Sequence, residues 1–203
     1  APSISQASAH AYLALCFSKL EPNLVAAKQQ IENAYRNAAK SGELQTILRS
    51  AQLAETLGLW DMAAEGYETI AAKNARVRIS MLTKVYEMAS LARNGARMLD
   101  IADRIAKARP ESWLYRARAD YLRLVLGSGL EEACETTLAV KPGAVAATRD
   151  PDAISSLAVL RALAAYRIGD LTRVKPELDA IQGTATLPPG VRAVLAGLMK
   201  ISN

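Results

Sequence analysis

Between Glu43 and Leu57 the apolar residues Leu44, Ile47, Leu48, Ala51, Ala54 and Leu57 recur at steps of three and four. That spacing gathers them on one stripe of a helix, and Gly58 supplies its stop. Trp60–Lys73 repeats the pattern with Ala63, Ala64, Tyr67, Ile70 and Ala71 inward. So short a link between the two predicts an antiparallel pair.

The arrangement returns along the chain. A helix over Val77–Ala92 ends at Arg93-Asn94-Gly95, with Ala96–Lys107 as its return partner and Pro110 closing the pair. Ser112–Leu126 ends at Gly127-Ser128-Gly129. Ser128 with Glu131 then forms the Ser-x-x-Glu signature of a helix start for Leu130–Val140, which Pro142 closes. Asp150-Pro151 predicts the next start, because Asp accepts from free amides and Pro suits the first turn. That helix runs to Ile168 and stops at Gly169. Asp170 opens another that reaches Ile181, where Pro176 either delays the start or kinks it. Val191–Ile201 is a last amphipathic helix without a sequence neighbour. Upstream, Ser3–Leu20, with Ser3 and Gln6 as a capping pair, and Pro22–Lys40 form a further pair. Gly143–Arg149 and Gln182–Gly190 read as spacer loops. No alternating apolar and polar run marks a strand.

The turn glycines Gly58, Gly95, Gly129 and Gly169 are spaced 37, 34 and 40 residues apart. Two-helix repeats of about 34 residues are the tetratricopeptide period. Ala51–Asn74 resembles that repeat most closely: Ala51 and Ala54 in the first helix, then Leu57-Gly58, Trp60, Asp61, Ala63 and Tyr67. Small residues let helices approach, Gly permits the turn, and aromatics fill the gap between units. Pro110 to Trp113, Gly129–Ala133, and Tyr166 with Gly169 and Asp170 are looser matches. Met98, Leu99 and Val174 depart from the pattern by standing where a small residue is usual, and no Pro follows Asn74. The resemblance covers roughly Glu43–Ile181. It implies an all-α fold: a right-handed α-solenoid of antiparallel helix pairs, about five irregular units and a C-terminal capping helix, in a single domain over 1–203.

Composition agrees with helices. Of the 203 residues 51% are hydrophobic and only 5% aromatic, so Ala, Leu, Val and Ile must fill the core. The formal charge of +5 is mild, and both signs are mixed along the chain. A solvated surface with a small excess of one sign is the plainer reading, and nucleic acid is the alternative partner. The strongest bias lies in 93–123, with Arg93, Arg97, Arg104, Lys107, Arg109, Arg116, Arg118 and Arg123 against Asp100, Asp103, Glu111 and Asp120. The segment Ala11–Phe17 is too short and lacks the basic leader of a signal peptide, and no run of 18 apolar residues predicts a membrane span.

Candidate chemistry is thin. His10 is the sole histidine, and Cys16, six residues away on the same helix, does not face it. Cys16 and Cys134 read as buried free thiols rather than as a disulfide framework. The adjacent acids Glu131-Glu132 fall at a helix start, where they favour the dipole. No phosphate-binding glycine loop occurs. No catalytic residue, metal ligand or cofactor is therefore expected, and the chain reads as no enzyme.

In stacked helical hairpins the first helices line a concave wall. With the apolar stripe inward, that wall should carry Gln45, Gln52 and Glu55, then Thr83 and Glu87, then Arg118 and Tyr121, continued by Tyr166 and Arg167. Polar side chains with Tyr suit a protein or peptide partner. The terminal helix either closes the stack or pairs with a second copy through Val191, Val194, Leu195, Leu198 and Ile201.

Overall fold

A computed structural model describes residues 5–19, 23–141, 143, 151–181 and 189–202. The cap expected at Ser3, the helix starts at Pro22 and Asp150, and most of the two spacer loops fall outside them. The described residues form eleven α-helices and no strand. These are α1 (Gln6–Lys19), α2 (Leu24–Ser41), α3 (Leu44–Thr56), α4 (Trp60–Lys73), α5 (Arg78–Leu91), α6 (Gly95–Ala108), α7 (Trp113–Leu126), α8 (Leu130–Ala139), α9 (Pro151–Arg167), α10 (Leu171–Asp179) and α11 (Pro189–Ser202), with a 3-10 turn at Ala75–Val77. Consecutive helices pack against each other. The chain divides into two compact units, Ala1–Ile101 and Ala102–Asn203, so the border falls inside α6.

In the first unit α2 packs on α1 and α3, and α4 on α3 and α5. One turn recurs at the helix ends. Gly58 takes φ 72°, the amide of Leu59 reaches the carbonyl of Ala54 at 2.9 Å, and that of Gly58 reaches Glu55 at 3.1 Å. Paired bonds of this kind satisfy carbonyls that the helix leaves open. Gly95, expected to serve the same role after α5, does not. The left-handed residue there is Arg93 at φ 55°, with Asn94 donating to Ala89 at 2.8 Å. Asn94 also caps α6, accepting from the amide of Arg97 at 3.0 Å. The left-handed positions Gly58, Arg93, Gly127 and Gly169 are thus 35, 34 and 42 residues apart.

Alanine sets the closeness of the helices. Ala27, Ala34, Ala38, Ala51, Ala54 and Ala63 are wholly buried. Gly66 on α4 is tighter still: a β-carbon there would lie 2.8 Å from Cβ of Ala51 and 2.6 Å from the Tyr35 hydroxyl. Tyr35 spans from α2 to donate to the carbonyl of Met62 at 3.1 Å. Ile47, Ala51, Ala54, Ala63 and Tyr67, expected inward, are all buried.

In the second unit α9 is the central helix. It packs against α7, α8, α10 and α11, and Leu157–Leu160 and Ala162–Ala165 are all buried. A helix apolar on every side needs neighbours on every side. Within 157–165 the polar exception is Arg161, which meets Glu177 of α10 at 2.7 Å and donates to the carbonyls of Leu138 and Val140 at 3.0 and 2.7 Å. A cation from α9 thereby closes the carbonyl end of α8. The expected cap at Ser128 is absent: Gly129, at φ 59°, stands at the N-cap of α8 and no side chain caps it. A second glycine in left-handed backbone sets the entry angle in place of a hydroxyl. Pro176 does not delay α10, which starts at Leu171. The terminal α11 lies on α9 and α10 of its own chain, with Leu195 packed against Val159.

Candidate functional site

The residues expected along the wall are distributed over both units. On α3, Gln45 and Gln52 are exposed and Glu55 is half-buried. Glu55 accepts a short hydrogen bond from the buried Tyr67 hydroxyl and an ion pair from Lys84 of α5 at 3.3 Å. Lys84 also meets Glu87 at 3.0 Å. Lys84 thus brings Glu55 and Glu87 together, and Gln45 and Gln52 take no part in that network. Lys84 lies outside the expected wall, although its i,i+3 spacing to Glu87 is a legible signal. Thr83 is turned to its own helix, donating to the carbonyl of Ile79 at 3.0 Å.

Electrostatics follow the packing. Burial, then the bond to Glu55, pushes the Tyr67 phenol well above its ordinary range. Burial, then the neighbouring Tyr67, does the same to Tyr35. The bonds to Glu87 and Glu55 push Lys84 upward and hold it charged.

In the second unit Arg118 is exposed and Tyr121 is half-buried, packed on the unit's core. Tyr166 and Arg167 are exposed at the end of α9. Arg167 reaches the turn between α7 and α8, where its guanidinium would lie 3.2 Å from a β-carbon at Gly127.

Two cavities accompany these surfaces. One, of about 390 Å³, opens between α6, α7 and α8 over Trp113, Ala117 and Ala133. Across it Arg123 joins Asp103 at 2.5 Å and Asp120 at 3.0 Å. Burial raises the Asp120 carboxyl against the pull of Arg123. Trp113 and this carboxylate pair were visible in the sequence, but nothing there placed them round one opening. The other cavity, of about 210 Å³, lies between α1 and α3. It contains Gln52 of the expected wall together with Tyr12, Leu15, Arg49 and Leu53, which lie outside that wall.

Part of the Arg-rich stretch is paired with acids of its own and of α4. Arg97 pairs with Glu68 at 3.1 Å and Asp61 at 3.8 Å, Arg109 with Glu111 at 3.6 Å, and Arg123 with its two aspartates. Arg104 and Arg118 hold interactions of their own. Arg93 and Lys107 stand outside any ion pair among the described residues, and Arg116 lies within electrostatic range of Asp120.

His10 is partly buried, its Nδ1 2.7 Å from Oε1 of Gln30. Both cysteines are free. Cys134 is buried, but Cys16, expected to be buried, is exposed on the side of α1 that carries Tyr12 and Leu13. An apolar sequence context therefore did not translate into burial at Cys16. Among the described residues no group of three or more His, Cys, Asp or Glu side chains is placed to hold a metal ion, and no helix is long and apolar enough to cross a membrane.

Comparison with protein-family models, with curated proteins and with solved structures finds no match to this chain.

Proposed function

We propose that this chain is a protein-interaction scaffold of the tetratricopeptide-like type, a right-handed stack of about five irregular helical hairpins with α11 as its cap. It binds a peptide or protein partner along the first helices of its hairpins and carries out no catalysis. The observation that carries this reading is the exposure of polar side chains on α3, α5 and α7 beside buried apolar residues, continued by Tyr166 and Arg167 at the end of α9. Hydrogen-bonding groups with rigid aromatics suit peptide recognition. The ion pairs that Arg97, Arg109 and Arg123 make with neighbouring acids favour a protein partner over nucleic acid.

The test is affinity capture from the native host with identification of the bound protein, repeated with Arg118→Ala and Tyr121→Ala. Reduced capture with unchanged circular dichroism supports the reading. Unchanged capture with intact folding removes these two residues from the groove, and no specific capture by the unsubstituted chain refutes the scaffold role.

A further inference from the structure

We infer that the cavity between α1 and α3 receives a peptide segment in which one apolar side chain stands beside a single carboxylate. The inference rests on the peptide-binding reading above and names the chemistry of its ligand. At about 210 Å³ the cavity is smaller than pockets that enclose whole small molecules, and suits one side chain of a longer segment. Its wall is apolar. Tyr12 and Leu15 are 54% and 43% exposed there, and Leu53 completes the surface from α3. Large apolar groups left open in a concavity gain by being covered.

The polar chemistry is one-sided. Arg49 is the one charged residue lining the cavity, is exposed, and takes part in no ion pair among the described residues. A guanidinium presents a planar fork that fits a carboxylate through two parallel bonds. Gln52, one turn further along α3, offers a donor and an acceptor to a peptide backbone. At the opposite end Glu43 accepts from Ser5 at 2.7 Å, Ser41 at 2.9 Å and Thr46 at 3.0 Å. Six residues of helix separate Glu43 from Arg49, or about 9 Å along the axis. Glu43 does not itself line the cavity, but its bond to the lining Thr46 does not cancel its charge, so negative charge stands close to the end away from Arg49. The cavity therefore selects one acid next to an apolar residue and disfavours an acidic run.

The experiment follows backbone amide shifts of the full isotopically labelled chain on titration with four capped hexapeptides, AALEAA, AALQAA, AAAEAA and ALEEEA. The expected shifts centre on α1 near Ser8–Leu15 and on α3 near Thr46–Leu53. AALEAA should bind about tenfold more tightly than AALQAA, the scale of one charge-assisted contact. AAAEAA should bind more weakly than AALEAA, and ALEEEA no more tightly. Arg49→Gln, an exposed change that preserves the fold, should erase the preference for AALEAA over AALQAA. Equal affinity for those two peptides, or a preference that survives Arg49→Gln, overturns the carboxylate assignment and leaves the scaffold reading standing. Shifts confined to α5 or to the second unit overturn the cavity assignment while keeping peptide binding. Absence of any shift overturns the inference, and the scaffold role itself then stands or falls on the capture experiment.

Discussion

Arg161 is the most exacting test of how the second unit is held together. Replacement by Met keeps the aliphatic stem within the apolar surroundings of α9 and removes only the guanidinium. Left behind are the carboxylate of Glu177, whose side chain is 17% exposed, and the carbonyls of Leu138 and Val140 at the end of α8. Removing one partner of a buried pair costs about 3–5 kcal/mol, because the other charge stays desolvated. With an m-value of about 2 kcal/mol/M in urea, the unfolding midpoint should fall by about 1.5–2.5 M. Each unit carries one of the chain's two tryptophans, Trp60 and Trp113. In a Trp60→Phe background, fluorescence therefore reports the second unit alone. Adding Glu177→Leu to Arg161→Met should recover most of the loss, since the stranded charge is gone. Arg161→Lys should not recover it, because a point charge cannot serve a carboxylate and two carbonyls at once. A loss below about 1 kcal/mol for Arg161→Met, or a double variant no better than the single, would refute the assignment of Arg161 as the buried clamp.

Further expectations follow from single features. Arg93 occupies left-handed backbone at φ 55°, a conformation costly for a residue with a β-carbon. Arg93→Gly should raise the stability of the first unit by about 0.5–1 kcal/mol in urea denaturation followed by Trp60, and a loss would show that the side chain outweighs the strain. Tyr35 and Tyr67 hold their protons above the ordinary phenol value of 10.0. The unfolded chain releases those protons first, so stability from this source is complete below about pH 10 and declines as pH rises beyond it. Phenolate absorbance should show two tyrosines titrating late, and Tyr67→Phe should remove one of them. Binding to single-stranded RNA should be weak. Were Arg93, Lys107 and Arg116 all to contact phosphates, the slope of log affinity against log salt would reach only about −2 to −3, and a steeper slope would revive the nucleic-acid alternative.

Local physics is what the chain announces by itself. The stripe Ile47, Ala51 and Ala54, the stop at Gly58 and the short links all act within one or two helical turns, and a linear sequence displays them directly. The eleven helices of the described residues were legible in their order on that basis, including pairs that fold back on each other. The same reasoning erred where two neighbours compete for one role. Arg93, not Gly95, takes the left-handed turn, and Gly129, not Ser128, stands at the N-cap of α8.

Contacts across helices were decided by tertiary structure. Lys84 reaches Glu55 across 29 residues, and Arg161 reaches the end of α8 across more than 20. Neither pairing has a signature along the chain, because both depend on the rotation of each helix about its own axis. That rotation is set by where Ala and Gly66 allow backbones to approach. The wall residues Glu55 and Glu87 were named from periodicity, but only packing revealed that Lys84 joins them. The cavity of Tyr12, Leu15 and Arg49 was hidden for the same reason. A helical pattern specifies which residues share a face, and the three-dimensional packing of neighbouring helices decides which faces leave space between them.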